Sequence, residues 1–398
     1  MADEDRFAKG DLNSVMAAYP HVADWVRDFE SRYGSRPIYY GPLDRDAKKE
    51  RPLNLIYLAK EPIFIHIYEP PEDDDGSGGE ILWFGLEPQL TEEEENMRRD
   101  LVETLLQEAP TAPTFTTDGE FENILTQMVD RYTVLESEIS AAPRRQGRLW
   151  EMIGMDDKRV IVTPEQRARL EYIIIRDLIK NGPLEPLLSD EMLEDIHSIG
   201  LKHIHMDHKV FGMVTSNIRF RERELLSRYL RAMSERIGRP VSDNKPIIDG
   251  ALLDGSRINI IFSDDVSMLG PSFTIRKFAE ETISIIQLIK WGTISSQVAA
   301  YIWICLEYGM SVLVSGETAS GKTTTLNAIL PFIDHNVKIY SAEDTPEVKV
   351  RHKIWQRLVT RDSKNEESRV EMFDLLKAAL RSRPRYIIIG EIRGVEGA

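Results

Sequence analysis

Cysteine is almost absent from this chain of 398 residues, because Cys305 is the only one. A single cysteine excludes an intrachain disulfide. Cys305 lies in the apolar run 298–306, whose spacing is that of a helix. We therefore predict a buried, unreactive thiol at this position.

Long hydrophobic runs are missing as well. No stretch approaches the roughly 18 apolar residues of a membrane span, and the first ten residues, MADEDRFAKG, lack the pattern of a signal peptide. The composition, 42% hydrophobic and 29% charged, is typical of a globular protein. The length suits two or three domains with separate cores. Together these features predict a cytoplasmic protein.

Positive charge is scarce, since 50 Lys and Arg face 66 Asp and Glu for a net charge of −16. Residues 1–120 hold 27 acidic and 12 basic residues, a net of −15, and the remainder is close to neutral. This asymmetry predicts a separate acidic N-terminal module. It also argues against a nucleic-acid translocase or packaging motor, because broad contact with nucleic acid needs a positive surface.

The most informative motif is residues 316–323, GETASGKT, which matches the phosphate-loop pattern GxxxxGK[ST] in full. The β-branched run 311–315 before it predicts a strand, and residues 324–330 after it have helical spacing. Main-chain N–H groups of such a loop close around phosphate oxygens at a helix N-terminus. We expect Lys322 to lie along the β- and γ-phosphates and the Thr323 hydroxyl to bind Mg²⁺. The predicted nucleotide-binding residues are Gly316, Glu317, Thr318, Ala319, Ser320, Gly321, Lys322, Thr323 and Thr324.

Two further segments read as strands that deliver carboxylates to the same site. Residues 385–391, RYIIIGE, predict a buried parallel strand with Glu391 at its carboxyl end, where α/β sheets place their ligands. Glu391 could hold a Mg²⁺-bound water or polarise the attacking one. Residues 337–347 predict a second strand, and either Glu343 or Glu347 could act there as general base.

Local patterns suggest four regions along the chain. Residues 1–115 form the acidic N-terminal module, and 116–162 form a linker or helical connector. Residues 163–285 predict an α+β domain, with strands that include 209–215, 256–261 and 272–276, and a helix at 222–237. From residue 286 to 398 the order of elements predicts an α/β, RecA-like sheet.

A histidine-rich segment, 203–208, invites a metal-binding hypothesis. His203 and His205 would share one face of a strand, as zinc ligands must. No fourth ligand lies nearby in the sequence, and histidines are common at strand edges. We therefore favour a structural role for them.

The motifs GETASGKTT, SAEDTPEV and IIIGEIRGVE together resemble the type II/IV secretion ATPase superfamily, whose Walker B motif also ends in Gly-Glu. Upstream segments such as PIIDGALLDGSRINIIF and SMLGPSFTIRKF are similar to its archaeal branch, which includes archaellum and pilus motors. The resemblance covers about residues 165–398. It implies a RecA-like motor domain behind an α+β domain, using ATP and Mg²⁺. It also implies a homo-oligomeric ring, expected to be a hexamer, that acts on an integral membrane platform protein at the inner face of the cell membrane without nucleic acid.

The same resemblance implies roles for individual residues. Lys322 and Thr323 would bind the triphosphate and Mg²⁺, Glu391 would be the Walker B glutamate, and Glu343 the acidic-box carboxylate. Arg257 and Arg276 match arginines that the upstream domain brings to the nucleotide, where a guanidinium would neutralise charge on the γ-phosphate. Arg381 matches a further family position.

Two departures from the family pattern shape the expected function. With one cysteine, the chain cannot hold the four-cysteine zinc insert of bacterial members. It also ends shortly after the Walker B segment, before the histidine box and the last strands of the motor domain, so an apolar sheet edge should be exposed. The expected function is an ATP-hydrolysing motor subunit. The alternative is a non-catalytic subunit or fragment that binds ATP without turning it over.

Overall fold

The computed structural model describes residues 9–50, 52–71, 79–111, 113–115, 117–137, 159–252, 254–263, 265–277, 282–317, 320–361 and 369–392. The chain divides into two compact units, Met1–Lys277 (unit 1) and Phe278–Ala398 (unit 2). No helix in the described ranges is both long and apolar enough to cross a bilayer.

The α-helices of the described residues are numbered in chain order. They are α1 (Leu12–Ala18), α2 (Pro20–Tyr33), α3 (Glu92–Glu108), α4 (Asp118–Tyr132), α5 (Pro164–Leu178), α6 (Glu185–Ser189), α7 (Arg223–Arg236), α8 (Ile285–Lys290), α9 (Ser296–Glu307), α10 (Lys322–Ile329) and α11 (Met372–Ser382). Several begin where the sequence supplies a cap. Thr91 and Thr163 each accept from the backbone N–H three residues on, and Glu94 and Gln166 complete the two capping boxes.

The strands of the described residues are also numbered in chain order. They are β1 (Ile38–Tyr39), β2 (Asn54–Lys60), β3 (Ile63–Tyr68), β4 (Leu82–Leu86), β5 (Thr133–Leu135), β6 (Val160–Val162), β7 (Leu193–Ile199), β8 (His205–His208), β9 (Gly212–Ser216), β10 (Ile247–Ala251), β11 (Arg257–Ile261), β12 (Ser272–Arg276), β13 (Ile339–Glu343), β14 (Trp355–Val359) and β15 (Tyr386–Ile389). The strand predicted over 209–215 is present as β9, but it begins three residues later than predicted. Residues 209–211 form a turn, and Gly212, with φ 78°, begins β9, which pairs antiparallel with β8.

Unit 1 is organised around a ten-stranded sheet in the order β1-β2-β3-β4-β9-β8-β7-β12-β11-β10. The acidic N-terminal residues supply β1 to β4, and the later α+β region supplies β7 to β12. The two sets meet where β4 pairs in parallel with β9, with Leu82 opposite Thr215 and Trp83 opposite Ser216. The predicted domain boundaries stay predictions, but the first and third predicted regions contribute strands to one sheet.

A buried hydrogen-bond network crosses this junction. The Asp190 carboxylate, with no exposed surface, accepts from the Tyr57 hydroxyl at 2.8 Å, the Trp83 indole N–H at 2.9 Å and the Met192 amide at 2.9 Å. His208 Nδ1 accepts from two main-chain N–H groups, which leaves its Nε2 as the donor to Tyr57, 3.2 Å away. Satisfied polar groups of this kind are costly to separate, so the network fastens β2 and β4 to the loop before β7.

The last residue of unit 1 is anchored in the same region. Lys277 follows β12, and its ammonium donates to the carbonyl oxygens of Leu187 and Asp190. Burial lowers the pKa of Lys277 to about 8. These bonds hold the carboxyl end of β12, which carries Arg276, against the loop that follows α6.

Unit 2 contains a parallel sheet in the order β14-β13-β15, with α11 packed on β13 through an apolar cluster that includes Tyr340, Leu375 and Ala379. The predicted strand at 311–315 was wrong, because these residues form no strand in the structure. Within the described residues, no neighbouring strand offers them hydrogen bonds, and β15 pairs with β13 alone. Leu313 is accordingly 78% exposed, and apolar residues of α9 such as Tyr301 are exposed as well.

Candidate nucleotide-binding site

The phosphate loop leads directly into α10, which begins at Lys322 as the motif predicts. Gly321 caps the helix in the left-handed region at φ 83°, a conformation that strains residues with a side chain. At Gly316 a Cβ would lie 2.7 Å from the Ser320 hydroxyl, so a larger residue there would require the serine side chain to move. Thr318 and Ala319 lie outside the described residues. The described part of the loop is an exposed bend followed by a helix N-terminus.

The ammonium group of Lys322 is hydrogen-bonded to the main chain of the loop. Lys322 Nζ donates to the Glu317 carbonyl at 2.6 Å, so the ammonium folds back over the loop. Thr323 and Thr324 follow in the first turn of α10 and are half-buried. Backbone N–H groups, a lysine and a hydroxyl at a helix N-terminus can hold an anion and a magnesium ion.

Glu343, at the carboxyl end of β13, is fully buried and fully engaged. Its Oε1 accepts from the amides of Glu347 and Val348 at 2.8 and 2.6 Å, and its Oε2 accepts from Arg357 Nε at 3.2 Å. The carboxylate therefore shapes the turn after β13, which we call the acidic turn (residues 344–349). The Glu347 side chain is exposed. Of the two carboxylates between which the sequence could not choose, Glu347 has the side chain free to face solvent.

The Walker B strand β15 ends beside Glu343, and this contact explains the glycine before Glu391. The Gly390 amide donates to the Ala342 carbonyl at 2.9 Å, which brings the two strand ends together. A Cβ on Gly390 would lie 3.0 Å from Glu343 Cγ. The half-buried Glu391 follows at once. Because Gly390 has no side chain, the buried Glu343 side chain can pack against the backbone directly before Glu391.

Substituting Gly390→Ala should therefore displace Glu343 and loosen the acidic turn. Overpacking of a tight contact costs about 1–3 kcal/mol, and we expect the thermal midpoint of unit 2 to fall accordingly. Gly292→Ala is a poor control, because its φ of 70° adds strain. Gly119→Ala lies in α4 of unit 1, where a Cβ meets nothing within 4 Å, so it should leave the midpoint of unit 2 at its wild-type value. Equal midpoints for the Gly390 and Gly119 variants would contradict the packing argument.

The two arginines implied by the family resemblance lie side by side in unit 1. Arg257 and Arg276 are directly opposite each other in the β11–β12 pair, so both side chains project from the same face of the sheet. Both are exposed, at 50% and 61%, and the guanidinium groups lie 3.9 Å from Asp249 and 3.8 Å from Asp195. Two adjacent guanidinium groups can grip a polyphosphate. They belong to unit 1, whereas the phosphate loop belongs to unit 2.

The other candidate residues have ordinary structural surroundings. His203 Nδ1 lies 3.1 Å from the Ser216 carbonyl, and His205 Nδ1 lies 3.0 Å from the Thr215 hydroxyl. Nowhere in the described ranges do three His, Cys, Asp or Glu side chains gather as a metal site would require. Cys305 is half-buried, so its predicted full burial was wrong. Arg381 is exposed in the last turn of α11.

Sequence reasoning missed two residues that organise this region, Asn327 and Arg357. Arg357, on β14, pairs with Glu343 and lies 5.2 Å from the centre of the Trp355 ring. Asn327, in α10, bonds the main chain of the acidic turn. An asparagine inside a helix was the available signal, since helix interiors disfavour it unless its side chain has a partner.

Comparison with known proteins decides the family. Residues 177–398 match the family described as type II/IV secretion system protein. The chain belongs to this family. It is 48% identical over 392 residues to the uncharacterized protein MJ0900 of Methanocaldococcus jannaschii, covering 98% of this chain and 69% of that protein. It is 29% identical over 231 residues to the putative conjugal transfer protein Rv3659c of Mycobacterium tuberculosis, covering 56% of this chain and 65% of that one.

Two solved structures show a weak likeness to part of the chain. The Legionella pneumophila ATPase DotB is 17% identical and covers 54% of this chain and 59% of its own, with a TM-score of 0.36. The pilus retraction motor PilT, solved with bound ADP, is 18% identical and covers 56% and 60%, with a TM-score of 0.35. The chain spans 32% and 41% of two further relatives from M. jannaschii, MJ0781 and MJ1287.

Proposed function

We propose that this chain binds Mg²⁺–ATP and is the ATPase motor subunit of an archaeal secretion-like or pilus system. The observation that carries the proposal is the complete phosphate loop at the N-terminus of α10, in the same unit as the paired strand ends of β13 and β15. Unit 2 would be the RecA-like motor domain. Family membership supports a role in secretion or filament assembly.

Each proposed site residue has a distinct task. Lys322 and the loop amides hold the phosphates, and Arg257 and Arg276 neutralise charge that spreads over the γ-phosphate. The half-buried Thr323 hydroxyl and the Glu391 carboxylate are oxygen donors of the kind that Mg²⁺ prefers. Magnesium bound there would neutralise phosphate charge. Glu343 holds the acidic turn, and Glu343 or Glu347 accepts the proton of the attacking water.

The assembly implied by this function is a homo-oligomeric ring, expected to be a hexamer. Its partner would be an integral membrane platform protein, and the ring would act as a peripheral complex at the inner face of the cell membrane. A rigid-body shift of one unit against the other, released by hydrolysis, would push on the platform. The arginine pair in unit 1 and the phosphate loop in unit 2 support this division of labour.

A second candidate function is nucleotide binding without turnover by these 398 residues. Residues 311–315 form no strand and β15 has a neighbour on one side only, within the described part of the chain. The phosphate loop is then attached less rigidly to the sheet that carries Glu391. Binding needs only the loop and α10, whereas turnover needs the carboxylate at a set distance.

Calorimetry with ATP and Mg²⁺ on the folded chain tests the proposed function, and phosphate release measured in parallel separates its two forms. We expect saturable heat of binding at one site per chain. Heat of ATP binding together with phosphate release supports the motor function. Heat of ATP binding without phosphate release supports nucleotide binding without turnover. No heat of binding at millimolar ATP would refute both.

A further inference from the structure

Asn327 connects the phosphate-loop helix to the acidic turn at two points. Its Nδ2 donates to the Glu347 carbonyl at 3.0 Å, and its Oδ1 accepts from the Lys349 amide at 2.9 Å. Both polar atoms of the side chain are used. A carboxamide is required here, because the turn offers one acceptor and one donor to the same side chain.

The backbone of Glu347 is consequently held from both sides. Its amide donates to the buried Glu343 carboxylate at 2.8 Å, and its carbonyl accepts from Asn327. Its own side chain is exposed. The structure thus fixes the main chain of Glu347 and leaves its carboxylate available.

The position of Asn327 on α10 relates this turn to the phosphate end of the helix. Asn327 follows Thr323 by four residues, so both lie on the same face of α10, about 6 Å apart along the axis. The acidic turn is therefore attached to the face that presents the Thr323 hydroxyl. Any movement of α10 along its axis must move the Glu347 main chain or break these two bonds.

We propose that Asn327 is a positioning residue that couples occupancy of the phosphate loop to the placement of the Glu347 carboxylate. Phosphates drawn to the N-terminus of α10 shift the helix, and Asn327 carries the acidic turn with it. This inference rests on the proposed nucleotide binding. It adds a specific mechanical connection between the phosphate loop and the acidic turn.

Amide hydrogen exchange of the full chain, with and without Mg²⁺–ATP, tests the coupling. In Asn327→Ala without nucleotide, amides of residues 347–349 should exchange faster, and the Lys349 amide, which loses its acceptor, by about tenfold. Mg²⁺–ATP should slow exchange of this segment in the wild-type chain and leave it unchanged in the variant. The affinity for ATP should change less than about threefold, since Asn327 lies a turn away from the loop.

Two further variants separate coupling from a general loss of structure. Asn327→Asp keeps an acceptor for the Lys349 amide, so that amide should stay slow while the response to ATP is lost. Asn336→Ala is the matched control, because Asn336 is exposed and bonds only to Asp334. It should behave as wild type. Helix interiors favour alanine over asparagine. A change in helix propensity alone would therefore slow amide exchange in Asn327→Ala, which is opposite to the faster exchange that loss of the Asn327 bonds predicts.

The outcomes distinguish the inference from the function on which it rests. If the wild-type chain binds ATP and residues 344–349 do not respond, or if Asn327→Ala exchanges like wild type, the coupling is refuted and nucleotide binding stands. If the wild-type chain binds no ATP, both are refuted. Should Asn327→Ala lose its helical circular dichroism, the Asp variant, which is close in size to asparagine, decides the question by the same exchange measurements.

Discussion

Substituting Lys322→Ala should weaken binding of Mg²⁺–ATP roughly 100-fold. Hydrogen bonds to charged groups contribute about 1.5–3 kcal/mol, and each 1.4 kcal/mol changes affinity tenfold. Lys322 is the first residue of α10, and in the structure its ammonium is bonded to the carbonyl of Glu317 in the loop. Without it, the phosphates lose the one lysine of the loop and rely there on main-chain N–H groups and the partial positive charge of the helix end. Calorimetric titration of both chains with ATP measures the difference.

The matched control for this experiment is Lys353→Ala. Lys353 is an exposed lysine of unit 2 that lies outside the loop, so the substitution removes the same charge from another position. Its affinity for ATP should remain within about twofold of wild type, because exposed charges are screened over distances near 10 Å. Equal weakening in both variants would mean that overall charge, and not the loop lysine, governs binding. Unchanged affinity in Lys322→Ala would place the phosphates elsewhere.

Lowering the pH from 7.5 to 5 should reduce the free energy of unfolding of unit 1 by about 4 kcal/mol through two buried histidines. Burial lowers the pKa of His66 to about 3 and that of His208 to about 4, from an ordinary value of 6.5. Below pH 6.5 the unfolded chain binds protons at both positions, whereas the folded chain does not. Each group therefore costs about 1.4 kcal/mol per pH unit below 6.5. The free energy of unfolding keeps falling until the pH reaches the pKa values that the two histidines have in the folded protein.

The structural cause is that neither imidazole can accept a proton without losing a bond. His66 Nδ1 accepts from the Trp25 indole at 3.0 Å, and His208 Nδ1 accepts from the amides of Val210 and Phe211. Protonation turns each acceptor into a donor directed at another donor. Urea denaturation at several pH values measures the effect, and amide exchange of β3 reports unit 1 separately from unit 2.

A double variant, His66→Gln and His208→Asn, isolates this contribution. Asparagine at position 208 keeps an oxygen to accept from the two amides, and glutamine at 66 keeps an N–H to donate to Asn54. We expect the variant to be less stable at pH 7.5 but to lose about 4 kcal/mol less than wild type on acidification. Carboxyl groups titrate in both chains and cancel in the comparison. Parallel stability profiles would show that the histidines do not titrate as argued.

Much of the local structure follows from short stretches of sequence. Thr91 and Thr163 cap α3 and α5 with their own side chains. The strand predicted at 272–276 is confirmed at both ends, and the helix predicted at 222–237 is confirmed to within one residue at each end. The helix predicted after the phosphate loop is confirmed as α10, which begins at Lys322 and includes residues 324–329. These features depend on side chains that satisfy backbone groups within a few residues.

Predictions that depended on distant partners were less successful. Residues 311–315 have the β-branched composition of a strand, yet they form none. A strand needs hydrogen bonds from a neighbour, and composition does not supply that neighbour. The same limit applies to the junction of β4 with β9, which joins residues more than a hundred positions apart and which no local pattern announced.

The sequence by itself determined the phosphate-loop motif, its glycines and the helix behind it. These depend on backbone conformations and spacings that eight consecutive residues specify. Only the tertiary structure decided that Glu343 is buried and engaged, that Asn327 holds the acidic turn, and that Arg257 lies opposite Arg276. The physical reason is that each of these contacts needs a partner from another strand or helix. Strand order and register determine which partner each residue contacts, and both are set only when the whole sheet forms.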